Sequence, residues 1–121
     1  MIGIDLVKSD RIKRLLDLYS DKFLHKVLSE EEIMLCKNYR TFAGFFAAKE
    51  ACSKALGCGI GAECGFHDII LSKTDKGAPK LALSARVQEN FKITHTSLSI
   101  THDGDYAIAV VALTSNIKGN Q

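Results

Sequence analysis

A carboxylate and two lysines stand together in an alanine-rich stretch near the middle of the chain. Glu50 follows Lys49 directly and precedes Lys54 by four residues in the segment GFFAAKEACSKALGCGIG. Residues four apart are neighbours on a helix, so Glu50 and Lys54 could form an ordinary surface ion pair worth about a few tenths of a kcal/mol. The alternative is a site in which the carboxylate and the lysines hold a metal ion and a phosphate.

Three further features favour a metal and phosphate site. Asp5 interrupts an apolar N-terminal segment, and a carboxylate within a strand requires a partner. Phe46 would lie on the polar side of the helix, where a solvated face would not place an aromatic ring. Gly57, Gly59 and Gly61 follow the helix, and glycine lets backbone N–H groups approach a phosphate. Magnesium is commonly held by one or two carboxylates with substrate phosphates and water, so the pattern favours phosphoryl transfer if the two carboxylates meet.

The surrounding pattern predicts an α+β domain, with helices in the first half and an antiparallel sheet in the second. Ser29 and Glu32 have the spacing of a capping box, which predicts a helix beginning near residue 30. Ser84 is predicted to cap a late helix. The other predicted elements are a strand over 2–7, helices over 8–19, 21–28 and 41–56, strands over 66–73 and 80–84, and a hairpin of 96–102 with 106–113. The polar end, 114–121, is expected to fray.

Composition narrows the class of protein. A chain of 121 residues with a net charge of +2 predicts one domain, residues 1–121, and gives no indication of nucleic-acid binding. No apolar run reaches the length of a membrane span, and the N-terminus lacks the pattern of a signal peptide, so a cytoplasmic location is expected. The four cysteines contain no C-x-x-C pair and are expected to be reduced thiols. Cys58, Cys64 and His67 match no common zinc spacing.

Five blocks of the sequence resemble, in order, the holo-[acyl-carrier-protein] synthase family of small bacterial 4′-phosphopantetheinyl transferases. They are GIDLV at 3–7, FLHKVLSEEE at 23–32, FAAKEACSKALGCGIG at 46–61, GAPKL at 77–81 and LSITHDGDYAIAVV at 98–111. A short motif such as GIDLV has little specificity, whereas five ordered blocks over nearly the whole chain are specific.

The resemblance implies a reaction and an assembly. The phosphopantetheine arm of coenzyme A is transferred to a serine of apo-acyl carrier protein, in support of fatty acid biosynthesis, and adenosine 3′,5′-bisphosphate is the other product. The family fold is α+β, with an antiparallel sheet packed on a long central helix. The resemblance also implies magnesium, with manganese as a possible substitute, and a homotrimer whose active sites lie between subunits.

Particular residues take roles from the resemblance. Asp5 and Glu50 correspond to the metal-binding carboxylates, and they are predicted to be catalytic together with Lys54, which corresponds to a lysine on the coenzyme A phosphates. Glu50 could accept the serine proton directly or through a metal-bound water. His102 corresponds to a histidine at the nucleotide end of the site. The complete set predicted to bind coenzyme A is Lys49, Ser53, Lys54, Gly57 and His102.

Four basic residues near the N-terminus are predicted to dock the carrier, which is acidic in the family's typical partners. Arg11 matches the family position. The others are Lys8, Lys13 and Arg14, for which an ordinary solvated helix face is the alternative. The chain departs from the family at Phe45, where an arginine is common, and Lys49 could compensate for that missing cation.

Two other classes of function remain open from the sequence alone. A non-catalytic module that binds coenzyme A would keep the lysines and glycines but would not need both carboxylates. A purely structural oligomer would explain a Glu50–Lys54 surface pair but not the five ordered blocks.

Overall fold

The computed structural model describes residues 1–116. The strands are β1 (Ile2–Lys8), β2 (Ile69–Lys73), β3 (Pro79–Leu83), β4 (Ile93–Asp103) and β5 (Tyr106–Ser115). The α-helices are α1 (Ser9–Tyr19), α2 (Asp21–Val27), α3 (Glu30–Leu35), α4 (Tyr39–Leu56) and α5 (Ala85–Asn90), and a short 3-10 helix spans Phe66–Asp68. This arrangement of helices in the first half and antiparallel strands in the second confirms the predicted α+β class.

The strands form two antiparallel sheets, one of three strands in the order β1-β5-β4 and one of β2 with β3. In the larger sheet Asp5 lies opposite Ala109, which lies opposite Ile100 on the other side. Residues directly opposite each other on neighbouring strands point to the same face of a sheet, so these three share the face that packs against α4. The other face carries exposed apolar side chains on β1 and β5.

Helix α4 is the centre of the molecule and is buried on nearly all sides. From Phe42 to Leu56 only Glu50 and Lys54 escape full burial. Asn38 caps the N-terminus by accepting hydrogen bonds from the amides of residues 40 and 41, and Gly57 ends the helix with a left-handed φ of 81°. The larger sheet covers one side of α4 and the preceding helices cover much of the other, so α4 is not the amphipathic surface helix that its sequence suggested.

The side chain of Phe46 is covered by other aromatic rings. Its ring centroid lies 6.1 Å from that of Phe23 and 5.9 Å from that of Phe66. The argument that this ring points to a ligand site is therefore wrong, because a second layer of aromatic side chains covers that side of the helix.

Gly3 allows β1 to lie directly against α4. A Cβ atom at this position would stand 1.9 Å from the carbonyl oxygen of Ala51, so no larger residue fits without moving the backbone. Asp5 follows two residues later on the same face of the strand. The close approach at Gly3 therefore brings Asp5 beside Glu50 and Lys54, which form the exposed strip of α4.

Most predicted elements are confirmed, including the capping box, in which Ser29 Oγ accepts from the Glu32 amide and Glu32 Oε1 from the Ser29 amide. Two details are wrong. Residues 66–68 form a 3-10 turn before β2 rather than part of the strand. Ser84 does not cap α5 through its side chain, because its hydroxyl donates to Asp68 instead.

The fraying predicted for residues 114–121 does not begin at residue 114. Strand β5 continues through Ser115, and residues 117–121 lie outside the described part of the chain. Within residues 1–116, no helix is both long and apolar enough to cross a membrane.

Candidate active site

The structure brings Asp5, Lys54 and Glu50 together where β1 crosses α4. The Lys54 ammonium donates to Asp5 Oδ1 at 2.8 Å and to the Ile4 carbonyl at 3.2 Å. The Asp5 side chain is 14% exposed and the Lys54 side chain 52% exposed. The helical spacing had suggested an ion pair of Lys54 with Glu50, but the partner of Lys54 in this structure is the carboxylate from the strand.

Glu50 has an unfavourable environment for its charge. Partial burial raises the pKa of its carboxyl, the negative charge of Asp5 raises that pKa further, and Lys54 and Arg11 oppose the shift. Lys54 lies four residues after Glu50 on α4 and donates to Asp5, so the two carboxylates lie on the same side of α4 and their negative charges oppose each other. A divalent cation would relieve that repulsion, so the donor pair fits magnesium, which takes oxygen ligands.

The protein offers two carboxylates here rather than a complete cage. Within the described residues, no group of three or more His, Cys, Asp and Glu side chains is arranged to hold a metal ion. Magnesium commonly retains waters and takes further oxygens from substrate phosphates. Two carboxylates are therefore a sufficient protein contribution only if the substrate supplies phosphate.

Lys49 lies away from this cluster, and its predicted contact with coenzyme A does not fit the structure. Its side chain is fully buried and its ammonium pairs with Glu32 at 2.8 Å. Burial lowers the pKa of Lys49, while the hydrogen bond and charge of Glu32 support its protonated form. Because its three N–H groups are all used inside the protein, Lys49 cannot replace the arginine that Phe45 displaces.

Ser53 and Gly57 use their hydrogen-bond donors within the protein, so these donors do not make the predicted contacts with coenzyme A. Ser53 is buried, and its hydroxyl donates to the Glu50 carbonyl at 2.7 Å. The amides of residues 57, 58 and 59 donate to the carbonyls of Lys54 and Ser53, which completes the end of α4. These N–H groups terminate the helix and are not free for a phosphate.

A second network fixes the chain after these glycines and was not apparent from the sequence. Asp68 accepts hydrogen bonds from the Gly65 amide, the Ser84 hydroxyl and the Arg86 guanidinium, and Arg86 also donates to the Ala62 carbonyl. The Arg86 guanidinium, with the Ser84 and Gly65 hydrogen bonds, holds the pKa of Asp68 well below its usual range. The residues are distant in sequence, so only the fold could reveal the pairing.

His102 lies in a separate cleft of about 200 Å³. Its Nε2 atom lies 3.1 Å from the Arg40 carbonyl, and its ring packs close to Gly44. Phe45, at the position where an arginine is common, contributes to the wall. The full lining is Thr41, Gly44, Phe45, Lys73, Gly77, Pro79, Ile100 and His102. His102 belongs to β4 and Asp5 to β1, so β5 separates the two positions within one chain.

The predicted docking residues divide into two groups. Arg11 is exposed and close enough to Glu50 to lower the pKa of that carboxyl, and Arg14 is exposed on the same helix. Lys13 instead has its ammonium over the Tyr39 ring, 5.6 Å from the centroid. Lys8 is exposed at the end of β1.

A groove of about 420 Å³ adjoins α1 and α2, and the sequence pattern did not indicate it. It combines apolar walls with two lysines, and it is lined by Leu15, Tyr19, Lys22, Phe23 and Lys26. Arg11, Leu15 and Tyr19 are each four residues apart on α1, so they form one stripe running from the Glu50 cluster to the groove.

The fold is that of a phosphopantetheinyl transferase. The family model described as the 4′-phosphopantetheinyl transferase superfamily, ACPS, matches residues 1–111. The chain belongs to this family, which confirms the resemblance.

Named relatives cover nearly the whole chain. It is 56% identical over 115 residues to a holo-[acyl-carrier-protein] synthase of Sulfurimonas denitrificans, covering 95% of each chain. It is 58% identical over 113 residues to that of Wolinella succinogenes, covering 93% of this chain and 96% of the relative. The crystal structure of the Helicobacter pylori holo-[acyl-carrier-protein] synthase in complex with coenzyme A is 49% identical, with a TM-score of 0.92, and covers 94% of this chain and 100% of that one.

Proposed function

We propose that this protein is a holo-[acyl-carrier-protein] synthase, which transfers 4′-phosphopantetheine from coenzyme A to a serine of apo-acyl carrier protein in support of fatty acid biosynthesis. The serine oxygen forms a bond to the pantetheine-bearing phosphorus of the pyrophosphate. The bond from that phosphorus to the bridging oxygen breaks, and adenosine 3′,5′-bisphosphate leaves with the electron pair. The observation that carries the proposal is the meeting of Asp5, Lys54 and Glu50 in a chain of this family.

The side chains divide the work as follows. A serine hydroxyl is a weak nucleophile, and Glu50, whose pKa is raised toward the working range of a base, accepts its proton. Lys54 has an exposed ammonium that places positive charge beside the pyrophosphate. Asp5 orients Lys54 and, with Glu50, would hold magnesium or manganese. When bound, that metal ion supplies charge neutralisation for the pyrophosphate.

His102 and its cleft are proposed as the nucleotide end of the site. Lys73 in the same cleft provides a cation for a phosphate, and the ring of Phe45 provides an apolar wall. His102 and Lys54 are therefore proposed to contact coenzyme A, and no direct contact is proposed for Lys49, Ser53 or Gly57.

The direct test is to incubate the protein with apo-acyl carrier protein, coenzyme A and magnesium and to weigh the carrier. A gain of one phosphopantetheine group, with release of adenosine 3′,5′-bisphosphate, is expected. An unmodified carrier that still forms a complex with the protein would instead favour the non-catalytic binding module.

We also propose that the α1–α2 groove and the nearby cations dock the acidic carrier. Arg11 and Arg14 on α1, and Lys22 and Lys26 on α2, place positive charge around an apolar groove, which suits a partner with acidic and apolar residues on one helix. Lys8 and Lys13 remain secondary candidates, because Lys13 lies over Tyr39.

Arg11→Glu is expected to raise the KM for the carrier by on the order of tenfold, and the KM for coenzyme A much less, because a charge at the rim mainly affects encounter with an oppositely charged partner. Steady-state kinetics with each substrate varied in turn measures this difference. Raising the salt concentration should weaken carrier binding in the unmodified protein. Lys80→Glu, which reverses a charge at an exposed position on β3, is the matched control. Arg86 is not used for this purpose because its guanidinium donates to Asp68. Unchanged carrier kinetics in Arg11→Glu would place docking elsewhere.

A homotrimer with active sites between subunits is proposed from the outer face of the larger sheet. Ile2, Ile4 and Leu6 are 74%, 58% and 58% exposed, and Val110 beside Ile4 is 37% exposed. A contiguous apolar face of this kind is typical of an interface between protein surfaces. Assembly of three copies would also allow the His102 cleft of one copy to meet the Glu50 cluster of another, which one chain alone keeps apart.

Val110→Lys is expected to reduce the molecular mass in solution from three copies toward one and to lower the transfer rate at least about tenfold, because a charged ammonium cannot be buried unpaired at an interface. Light scattering after size-exclusion chromatography and the carrier assay measure the two effects. Ile70→Lys, at an exposed apolar position on β2, is the matched control. A fully active monomer would contradict the intersubunit site.

We further propose a cytoplasmic location and a single catalytic domain spanning residues 1–121. The four cysteines are free thiols, which suits a reducing compartment. The family match extends over residues 1–111, which favours one domain.

A further inference from the structure

Lys49 and Glu32 form a buried ion pair that the transfer chemistry leaves unexplained. Both side chains are essentially inaccessible, at 0% and 2% exposure, and their charged atoms lie 2.8 Å apart. Replacing a buried ion pair by well-packed apolar residues is often neutral or stabilising, so burial of this pair is weak evidence for a role in stability alone. The pair therefore calls for an explanation in terms of the geometry it imposes.

The hydrogen bonds of the pair connect four separate parts of the chain. The Lys49 ammonium also donates to the Val27 carbonyl at 2.8 Å and to the Phe66 carbonyl at 3.0 Å. Glu32 Oε2 accepts from the Leu71 amide at 2.7 Å, while its Oε1 accepts from the amide of Ser29. All three N–H groups of the ammonium have acceptors, so the network is complete and directional.

One of these hydrogen bonds, from Lys49 to the Val27 carbonyl, joins the candidate catalytic helix to the candidate docking helix. Lys49 directly precedes Glu50 on α4. Val27 is the last residue of α2, and the preceding residues Lys22, Phe23 and Lys26 line the groove. A single side chain thus connects the segment that carries the base to the segment that receives the carrier.

We propose that Lys49 is a positioning residue, whose hydrogen bond to the Val27 carbonyl sets the docking groove at the distance from Glu50 that the carrier serine requires. The inference rests on the proposed function, since it concerns how the carrier reaches that site. An apolar side chain at position 49 could fill the same space, but it could not make a directional hydrogen bond to the Val27 carbonyl at the end of α2. A displacement of about 1 Å can cost a factor of about one hundred in rate when reacting groups must be aligned.

The test compares Lys49→Met with the double variant Glu32→Gln/Lys49→Met. The single variant leaves the Glu32 carboxylate buried without its cation, so its melting temperature should fall clearly. The double variant removes that charge, but its amide offers one acceptor oxygen where the Glu32 carboxylate serves both the Ser29 and the Leu71 amides, so only part of the lost thermal stability should return. Neither variant restores the bond to Val27. Lys80→Met, at an exposed position on β3, is the matched lysine control.

The expected result is a fall in kcat/KM for the carrier of on the order of tenfold in both variants, mainly through kcat at saturating carrier, with a change in the coenzyme A KM of less than about twofold. Recovery of stability without recovery of kcat/KM for the carrier would separate positioning from folding. If the single variant does not fold, the double variant carries the test. A normal kcat/KM for the carrier in a folded variant, or a rise in the coenzyme A KM as large as the loss for the carrier, would overturn the inference. Failure of the unmodified protein to transfer at all would overturn the proposed function instead.

Discussion

Glu50→Gln is expected to lower the transfer rate by at least about 100-fold, since general-base catalysis typically contributes 10²–10⁴-fold. The amide keeps the shape of the side chain but loses its charge and its basicity. The fold should persist, because Glu50 lies at the partly exposed strip of α4 and caps no element. The measurement is single-turnover transfer to the carrier at saturating coenzyme A and magnesium. Glu31→Gln, at an exposed position on α3, is the matched control.

The raised pKa of Glu50 also predicts how the activity and the stability of the protein depend on pH. Because the base must be ionised, the activity of the unmodified protein should fall as the pH drops through the pKa of Glu50, which a bound cation would lower from its raised position in the metal-free protein. A carboxyl whose pKa is higher in the folded than in the unfolded state makes the folded state less stable as the pH rises through that window. Glu50→Gln removes that penalty, so without metal its melting temperature at neutral pH should be unchanged or higher. Near-normal turnover in Glu50→Gln would remove Glu50 from the mechanism.

Asp5→Asn is expected to raise the magnesium concentration for half-maximal transfer by at least about tenfold, with partial recovery at high metal. Loss of an outer-shell partner alone commonly costs 10–100-fold in metal affinity or activity, so loss of a direct ligand should cost at least as much. The measurement is transfer rate against magnesium concentration. Asp10→Asn, which neutralises an exposed carboxylate in the first turn of α1, is the matched control.

The same variant has a second readout that does not depend on the loaded enzyme. Asp5 contributes to raising the pKa of Glu50, so in Asp5→Asn the titration of Glu50, followed by NMR without metal, should move toward lower pH. The variant weakens the partly exposed ion pair with Lys54 but relieves the repulsion with Glu50. These effects oppose each other, so the free energy of unfolding should change by less than about 1 kcal/mol. An unchanged metal dependence and an unchanged Glu50 titration would disprove the two-carboxylate site.

Local chemistry in the sequence was sufficient for much of the fold. The Ser29–Glu32 capping box and the glycine at residue 57 act within one turn of a helix, so their spacing predicted the two boundaries near them. The hairpin of β4 and β5 was predictable because its strands alternate around a short turn. The family motifs also gave Asp5 and Glu50 their proposed roles before any geometry was known.

The assignment of charged residues on α4 was beyond the sequence because it depends on what covers each side of the helix. Lys49, Glu50 and Lys54 were all predicted to serve the same site, yet Lys49 is buried against Glu32, Lys54 reaches Asp5 and Glu50 stays partly exposed. An ammonium selects the carboxylate that the packing of distant segments brings within reach, and sequence separation does not encode that distance. The sequence by itself predicted most of the elements and the family, and it proposed the two carboxylates. Only the tertiary structure decided which lysine pairs with Asp5 and which one ties α2 to α4, because burial makes a charge depend on its nearest partner.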